Sequence, residues 1–189
     1  MCDGRPQSRE GAARANMNRR ERKADGRIVL GENPDGIVDR QIGLLRLERT
    51  NGTPIALIAN YAIHGTALGG GNRKISGDVP GFVAEYVERK FGAPVLFING
   101  AEGDAAPLHS VGSDINDPRL KEYKRLLGDR IIAVNASVTA PSDKVSLVIG
   151  RTVIETPRRG ELDWPDELRA YNSVSKGGAN LVRISAAGT

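Results

Sequence analysis

Two short apolar segments on either side of an amphipathic one constrain the fold of this 189-residue chain more than any other feature. Residues 53–63 are apolar on both faces of a strand, which is typical of a strand inside a sheet. Residues 95–98 form a second, wholly apolar run, which we expect to be a central strand. Residues 78–90 between them show helical periodicity, with these side chains on one face: Phe82, Val83, Tyr86 and Val87. The pattern predicts two parallel strands joined by a right-handed helical crossover.

A β-hairpin is predicted to lead into this unit. Residues 42–49 partly alternate between apolar and polar side chains, and Asn51-Gly52 follows, a strong two-residue hairpin signal. The return strand is the first apolar run, with His64 as its last residue. The predicted fold class is therefore α/β: a mixed sheet with parallel strand–helix–strand units and a β-hairpin.

The rest of the chain is predicted to flank this core. Residues 1–40 show no sustained period, and we expect an irregular basic arm with at most a short helix over 9–15. The α/β core spans 41–155, with a second helix from 114–118 to 134 and a strand at 145–155. The inner stripe of this helix is predicted to consist of five side chains: Leu120, Tyr123, Leu127, Ile131 and Val134. The tail, 156–189, is less regular, with a helix over 164–171 and a last strand over 181–189. A long irregular start suggests an excerpt of a larger protein.

Charge and composition exclude several classes of protein. Residues 1–25 hold seven Lys/Arg against four Asp/Glu, which supplies most of the net charge of +4. Nucleic-acid binding through this arm stays an alternative, but no aromatic side chains interleave with its charges as a stacking platform requires. We expect no nucleic-acid partner. No signal peptide is visible, the longest apolar run is too short for a membrane span, and the lone Cys2 excludes an internal disulfide.

Polar loops follow both apolar strands, where α/β folds commonly hold their sites. His64 is a candidate zinc ligand, since neutral imidazole suits that ion, with an ordinary hydrogen-bonded histidine as the alternative. Asp78 fits a helix cap better than a base. Asp104 is open to either a structural or a catalytic role. His109 lies in a polar surface context and is left unassigned.

Short motifs in these loops resemble those of one family. They are Asn-Arg-Arg at 18–20, Asn-Tyr-Ala-Ile-His-Gly-Thr at 60–66, Ile-Ser-Gly-Asp at 75–78 and Gly-Asp-Ala-Ala-Pro at 103–107. They resemble Asn-Arg-Ser, Asn-Trp-Phe-Ala-x-His-Gly-Thr, Ile-Ser-Gly-Asp and Gly-Asp-Val-Ser-Pro of the neutral/alkaline non-lysosomal ceramidases. The resemblance covers roughly residues 16–155, so the chain is expected to be part of a larger catalytic domain.

The resemblance implies a chemistry and an environment. His64 corresponds to a ligand of one Zn²⁺ ion, and Arg19 corresponds to an arginine near the scissile amide, with Asp104 in the same site. The family hydrolyses the amide of N-acylsphingosines, so a small-molecule amide or lipid substrate is expected, with peripheral membrane contact. It also suggests a secreted or periplasmic protein if the N-terminus is truncated, and otherwise a cytoplasmic one.

Departures from the family pattern leave a second interpretation open. Ala106 stands where the family has a loop serine, and an alanine cannot attack, donate or accept. The family's upstream His-x-His has no equivalent, and its later glutamate and tyrosine ligands match by residue type only: Glu161, Glu167 and Tyr171. The alternatives are a zinc amidohydrolase incomplete in this chain and a catalytically impaired relative that binds a lipid or glycan without turnover.

Overall fold

The computed structural model describes residues 5–112, 114–138, 151–153 and 185–187. Contacts divide the chain into two units, Met1–Val145 and Ser146–Thr189. The first unit carries two sheets and the helices of the described residues. The division falls before the boundary at 155 that we predicted for the core.

The main sheet of the first unit has four strands, in the order β1-β4-β5-β6. They are β1 (Arg5–Ala12), β4 (Gln41–Glu48), β5 (Pro54–Tyr61) and β6 (Val95–Asn99). β4 and β5 form the predicted antiparallel hairpin, although its connection spans residues 49–53 rather than two residues. β5 and β6 pair in parallel. The predicted mixed α/β sheet is therefore confirmed.

Residues 1–40, which we expected to be irregular, contain β1 of the main sheet and two strands of a second, three-stranded sheet. Its order is β3-β2-β7, built from β2 (Asn16–Arg22), β3 (Ile28–Asn33) and β7 (Ala105–Pro107). The prediction of an irregular arm over 1–40 is therefore wrong, as is that of a short helix over 9–15, where β1 runs to Ala12. β1 pairs with β4 and β2 pairs with β7, and the sequence of residues 1–40 alone does not reveal these distant partners.

The crossover between β5 and β6 is the predicted helix α1 (Asp78–Phe91). Its inner face buries Val79, Val83 and Val87. Gly92 ends the helix at φ 79°, a left-handed conformation that glycine adopts without steric cost, and its N–H donates to the carbonyl of Glu88.

β6 is a terminal strand of the described sheet, so its prediction as a central strand is wrong. Leu96 and Ile98 are each 51% exposed on its outer face. The wholly apolar composition of this strand suggested burial on both sides, but only its pairing with β5 determines its position in the sheet.

The second predicted helix is present but interrupted. It consists of α2 (Pro118–Tyr123), a π-helical turn (Lys124–Gly128) and α3 (Asp129–Ala136). The N–H of Asp129 donates to the carbonyl of Lys124, five residues earlier. Four residues of the predicted inner stripe are buried, and Val134 is partly buried. The four are Leu120, Tyr123, Leu127 and Ile131. Together with α1 and the main sheet it forms one apolar cluster.

The second unit is described only by β8 (Arg151–Val153) and β9 (Ser185–Ala187), which pair antiparallel. They fall within the predicted strands at 145–155 and 181–189. The predicted helix over 164–171 lies outside the described residues. Within the described ranges, no helix has the length and apolar character needed to cross a bilayer.

Candidate active site

The loop between β6 and β7, which together with its flanking strand residues spans 99–107, brings two of the predicted site residues together with His64. The backbone N–H of Arg19 donates to the carbonyl of Asp104 at 2.8 Å, and the N–H of His64 donates to the carbonyl of Ala105 at 2.9 Å. These bonds connect three parts of the chain around one loop: β2, the segment that follows β5, and β7. β5 ends at Tyr61, so His64 follows the strand by three residues instead of ending it as predicted.

His64 faces Glu102, a residue that the sequence analysis did not single out. The distance from His64 Nδ1 to Glu102 Oε2 is 3.8 Å. Both atoms are buried and have no hydrogen-bond partner among the residues that the structure describes. Buried polar atoms are nearly always paired, so two unpaired ones facing each other suggest a site for a third atom. Imidazole nitrogen and carboxylate oxygen are both zinc donors.

Two arginines hold the carbonyl of Gly103. Arg19 donates to it through Nε at 3.3 Å and through Nη2 at 3.1 Å, and Arg20 donates through Nη2 at 3.0 Å. The oxygen carries a partial negative charge, so the two guanidinium groups stabilise the loop conformation. Arg19 is thereby positioned beside the loop next to Asp104.

The side chain of Asp104 contacts Asn18. Asn18 Nδ2 donates to Asp104 Oδ2 at 3.2 Å and to the carbonyl of Ile37 at 2.7 Å. Asn18 Oδ1 in turn accepts from the backbone N–H of Arg20 at 2.8 Å. Asn18 therefore connects the carboxylate of Asp104 to β2, the strand that carries Arg19 and Arg20. This contact holds the side chain of Asp104 in position.

Asn16 is a buried residue of this region that sequence reasoning missed. It is 2% exposed, and its Nδ2 donates to the carbonyls of Asp39 and Ala62, each at 2.6 Å. These bonds tie β2 to the segment that leads to His64. No local pattern identifies Asn16, because both acceptors are backbone groups more than 20 residues away.

Asp78 performs a different task from the predicted helix cap. The N-cap residue of α1 is Gly77, and it makes no side-chain capping bond. The Asp78 carboxylate instead accepts from the N–H groups of Ala67 and Leu68, both at 3.0 Å, and of Val79 at 2.7 Å. Asp78 adopts φ 49°, which aims its buried side chain back at the loop after His64.

A cleft of about 310 Å³ lies against β2, β3 and β7. Its lining includes the side chains of Arg19, Thr66, Ala106 and Ser110. Ala106 pairs with Met17 across β2 and β7, which fixes the direction of its methyl group. Ala106, which stands where the ceramidase motif has a serine, therefore lines this cleft together with Arg19. His64 and Asp104 are not among the residues that line it.

His109 lies in a separate environment. Its Nε2 is 3.3 Å from Glu122 Oε2, and its backbone N–H and carbonyl both bond to the hydroxyl of Tyr123. Burial raises the pKa of Tyr123 above its ordinary value. The remaining candidate ligands, at 161, 167 and 171, lie outside the described residues. Within the described part of the chain, no three His, Cys, Asp or Glu side chains cluster as a metal site.

The hydroxyl of buried Tyr61 connects two segments that are distant in the sequence. Its hydroxyl donates to the carbonyl of Ala13 at 3.0 Å and accepts from the N–H of Ala15 at 3.2 Å. Burial raises the pKa of Tyr61 to about 12, so the phenol stays neutral and keeps both bonds at physiological pH. This contact joins the end of β5 to the segment between β1 and β2.

Comparison with known proteins agrees with the motifs. Neutral ceramidase B of Dictyostelium discoideum is 31% identical over 99 residues, which is 48% of this chain and 14% of that protein. Over about half of its length, this chain is therefore similar to a neutral ceramidase. Neutral ceramidase from Pseudomonas aeruginosa superposes with a TM-score of 0.61 at 18% identity, covering 80% of this chain and 25% of the ceramidase. A ceramidase complexed with C2 superposes with a TM-score of 0.58 at 19% identity, covering 79% and 24%.

No protein-family model matches the chain. The predicted resemblance to neutral ceramidases is nevertheless confirmed by the sequence match, and the fold by the two superpositions. The chain spans 14% of the length of its curated relative and about a quarter of each solved structure.

Proposed function

We propose that this chain contributes to a zinc-dependent hydrolase of a linear amide bond, of the N-acylsphingosine amidohydrolase type. The observation that carries the proposal is the pair of buried, unpartnered atoms His64 Nδ1 and Glu102 Oε2 beside the loop that Arg19 holds. The similarity to neutral ceramidase supports the substrate class, a lipid amide.

His64 and Glu102 would hold the ion, with further ligands from water or from residues outside the described ranges. The donor set fits: one imidazole nitrogen and one carboxylate oxygen are typical of catalytic zinc sites, which usually have three protein ligands. Bound there, zinc would polarise the amide carbonyl and lower the pKa of water. The backbone bond of His64 to Ala105 fixes the main chain from which the imidazole extends.

Arg19 would stabilise negative charge on the substrate. Two of its N–H groups bond to Gly103, and a guanidinium has five, so others stay available on the side that lines the cleft. A fixed cation beside a developing oxyanion lowers the barrier to amide cleavage. The hydroxyl groups of Thr66 and Ser110 line the same cleft and are available to bond polar groups of the substrate.

The direct test is hydrolysis of a short-chain N-acylsphingosine by the full-length protein before and after treatment with a strong chelator. We expect activity to be lost on chelation, restored by zinc, and abolished by His64→Ala. His109→Ala is the matched control, because the second histidine is engaged with Glu122 and should be dispensable. Hydrolysis that survives both chelation and His64→Ala would refute the proposal.

Ala106 favours a second candidate function, in which the chain binds its lipid or glycan ligand without turnover. A methyl group lines the cleft where the family pattern has a hydroxyl, so one nucleophile or polar partner is missing. Ala106→Ser separates the two candidates. Ligand binding without hydrolysis in both the parent and the serine variant would favour the binding protein.

A further inference from the structure

A second cleft, away from the loop at 99–107, is strongly basic. It has a volume of about 520 Å³ and is lined by these residues: Ala12, Ala13, Arg14, Arg40, Arg125, Leu126 and Arg130. Four of the seven are arginines, and no carboxylate lines the cleft. A concave surface of one charge focuses the electrostatic field and attracts ions of the opposite sign.

The positive charge of this cleft is not compensated within the described residues. None of the four arginines has a carboxylate within 4 Å among the ion pairs of that part of the chain. The Nε atom of Arg40 is buried and lacks a hydrogen-bond partner there. A buried guanidinium nitrogen without an acceptor is costly, so an anionic ligand would stabilise the folded state.

The π-helical turn (Lys124–Gly128) has a direct consequence for this cleft. Arg125 and Arg130 are five residues apart, and in a regular α-helix such residues point roughly 140° away from each other. The bond from the N–H of Asp129 to the carbonyl of Lys124 widens the turn. Both arginines consequently line one cleft. π-helical turns are rare and frequently occur at functional sites.

The opposite wall is built on a rigid part of the backbone. The N–H of Ala13 donates to the carbonyl of Arg40 at 3.0 Å, and the carbonyl of Ala13 accepts from the buried hydroxyl of Tyr61. Arg14 and Arg40 therefore extend from segments that are bonded to each other, which limits the entropy lost when their side chains bind a ligand.

We propose that this cleft binds a phosphate-type oxyanion, held by forked hydrogen bonds from the four guanidinium groups. Planar guanidinium matches the geometry of phosphate oxygens and binds them in a bidentate manner. The anion is either a free phosphate compound or the headgroup of an anionic lipid, since both present the same oxygens. This inference is independent of the proposed amide hydrolysis.

Inorganic pyrophosphate is the first probe, added to the full chain at constant ionic strength set with sodium chloride. We expect a rise in melting temperature that saturates with pyrophosphate, as ligand binding to the folded state requires. Arg125→Gln/Arg130→Gln should raise the dissociation constant at least about tenfold, and Arg40→Met is a second, independent variant. Far-UV circular dichroism checks that each variant folds.

The matched control removes the same two charges elsewhere. Arg22→Gln/Arg73→Gln changes two exposed arginines that do not line this cleft, so it should leave binding unchanged. A parallel arm measures sedimentation with vesicles of phosphatidylcholine, with and without phosphatidic acid. If Arg125→Gln/Arg130→Gln weakens binding to phosphatidic acid vesicles but pyrophosphate does not bind the parent, the ligand is a lipid headgroup. Equal sensitivity of the cleft and control variants, or no binding in either arm, overturns the inference.

Discussion

His64 Nδ1 lies 3.8 Å from Glu102 Oε2, and neither buried atom has a hydrogen-bond partner among the described residues. The separation is too long for a direct hydrogen bond. It is within the reach of two donors on one zinc ion, whose bonds to nitrogen and oxygen are each about 2.0–2.2 Å. The separation therefore fits the shared ion that we propose for this pair.

Glu102→Gln should weaken zinc binding at least about tenfold, because the amide oxygen is neutral and a poorer ligand than a carboxylate. Isothermal titration calorimetry with zinc measures this directly. Since the chain has only two histidines, ¹⁵N spectra of the imidazole rings should show a zinc-dependent shift of His64 Nδ1. Glu122→Gln, beside the other histidine, is the control. Unaltered zinc affinity in Glu102→Gln would exclude Glu102 as a ligand.

Asp78→Ala should lower the free energy of unfolding by about 3 kcal/mol, because three backbone N–H groups lose a charged acceptor. The positive φ of Asp78 adds strain to an alanine at this position. Asp78→Gly removes the carboxylate without that strain and separates the two effects in urea denaturation. Equal stability of the parent and the alanine variant would show that the carboxylate contributes little, since alanine gains no relief from backbone strain.

Tyr61→Phe should destabilise the fold by about 1–3 kcal/mol at neutral pH, since Ala13 and Ala15 lose a buried partner. The parent should also lose stability between about pH 10 and pH 12. In that range the unfolded phenol has released its proton, while burial keeps the pKa of the folded group at about 12. The folded state then holds more protons, so rising pH favours unfolding.

Urea denaturation at several alkaline pH values tests the pH dependence. Tyr61→Phe should show a shallower decline than the parent, with the residual decline assigned to Tyr123, whose pKa burial also raises. Parallel declines in the two proteins would exclude Tyr61 as a source of the alkaline sensitivity.

Gly128→Ala should cost about 1–3 kcal/mol, because a Cβ atom there would lie 2.6 Å from Cδ1 of Tyr86. The backbone of Gly128 has φ −60°, so the cost is steric and not conformational. Gly81→Ala in α1 is the control: a Cβ at that position meets no atom within 4 Å, and alanine should stabilise the helix by up to about 1 kcal/mol. In thermal unfolding, the melting temperature should therefore fall for Gly128→Ala and rise for Gly81→Ala.

Sequence patterns predicted the elements whose partners are close along the chain. The β4–β5 hairpin follows from Asn51-Gly52 between two strand-like segments, and α1 follows from its apolar face and from Gly92 at its end. The inner stripe of the second helix was also predicted, but the π-helical turn within it was not. Periodicity does not distinguish five-residue from four-residue hydrogen bonding over one turn.

Of the site, the sequence alone determined which residues to consider: His64, Arg19 and Asp104 were named from motifs, and Ala106 from its departure. The tertiary structure decided what each contacts. Arg19 meets Asp104 through pairing of segments 85 residues apart, and Glu102 faces His64 only because the 99–107 loop folds back on the end of β5. A local stretch of sequence shows secondary-structure propensity and hydrophobic periodicity. These contacts depend instead on which distant backbone groups form hydrogen bonds with each other.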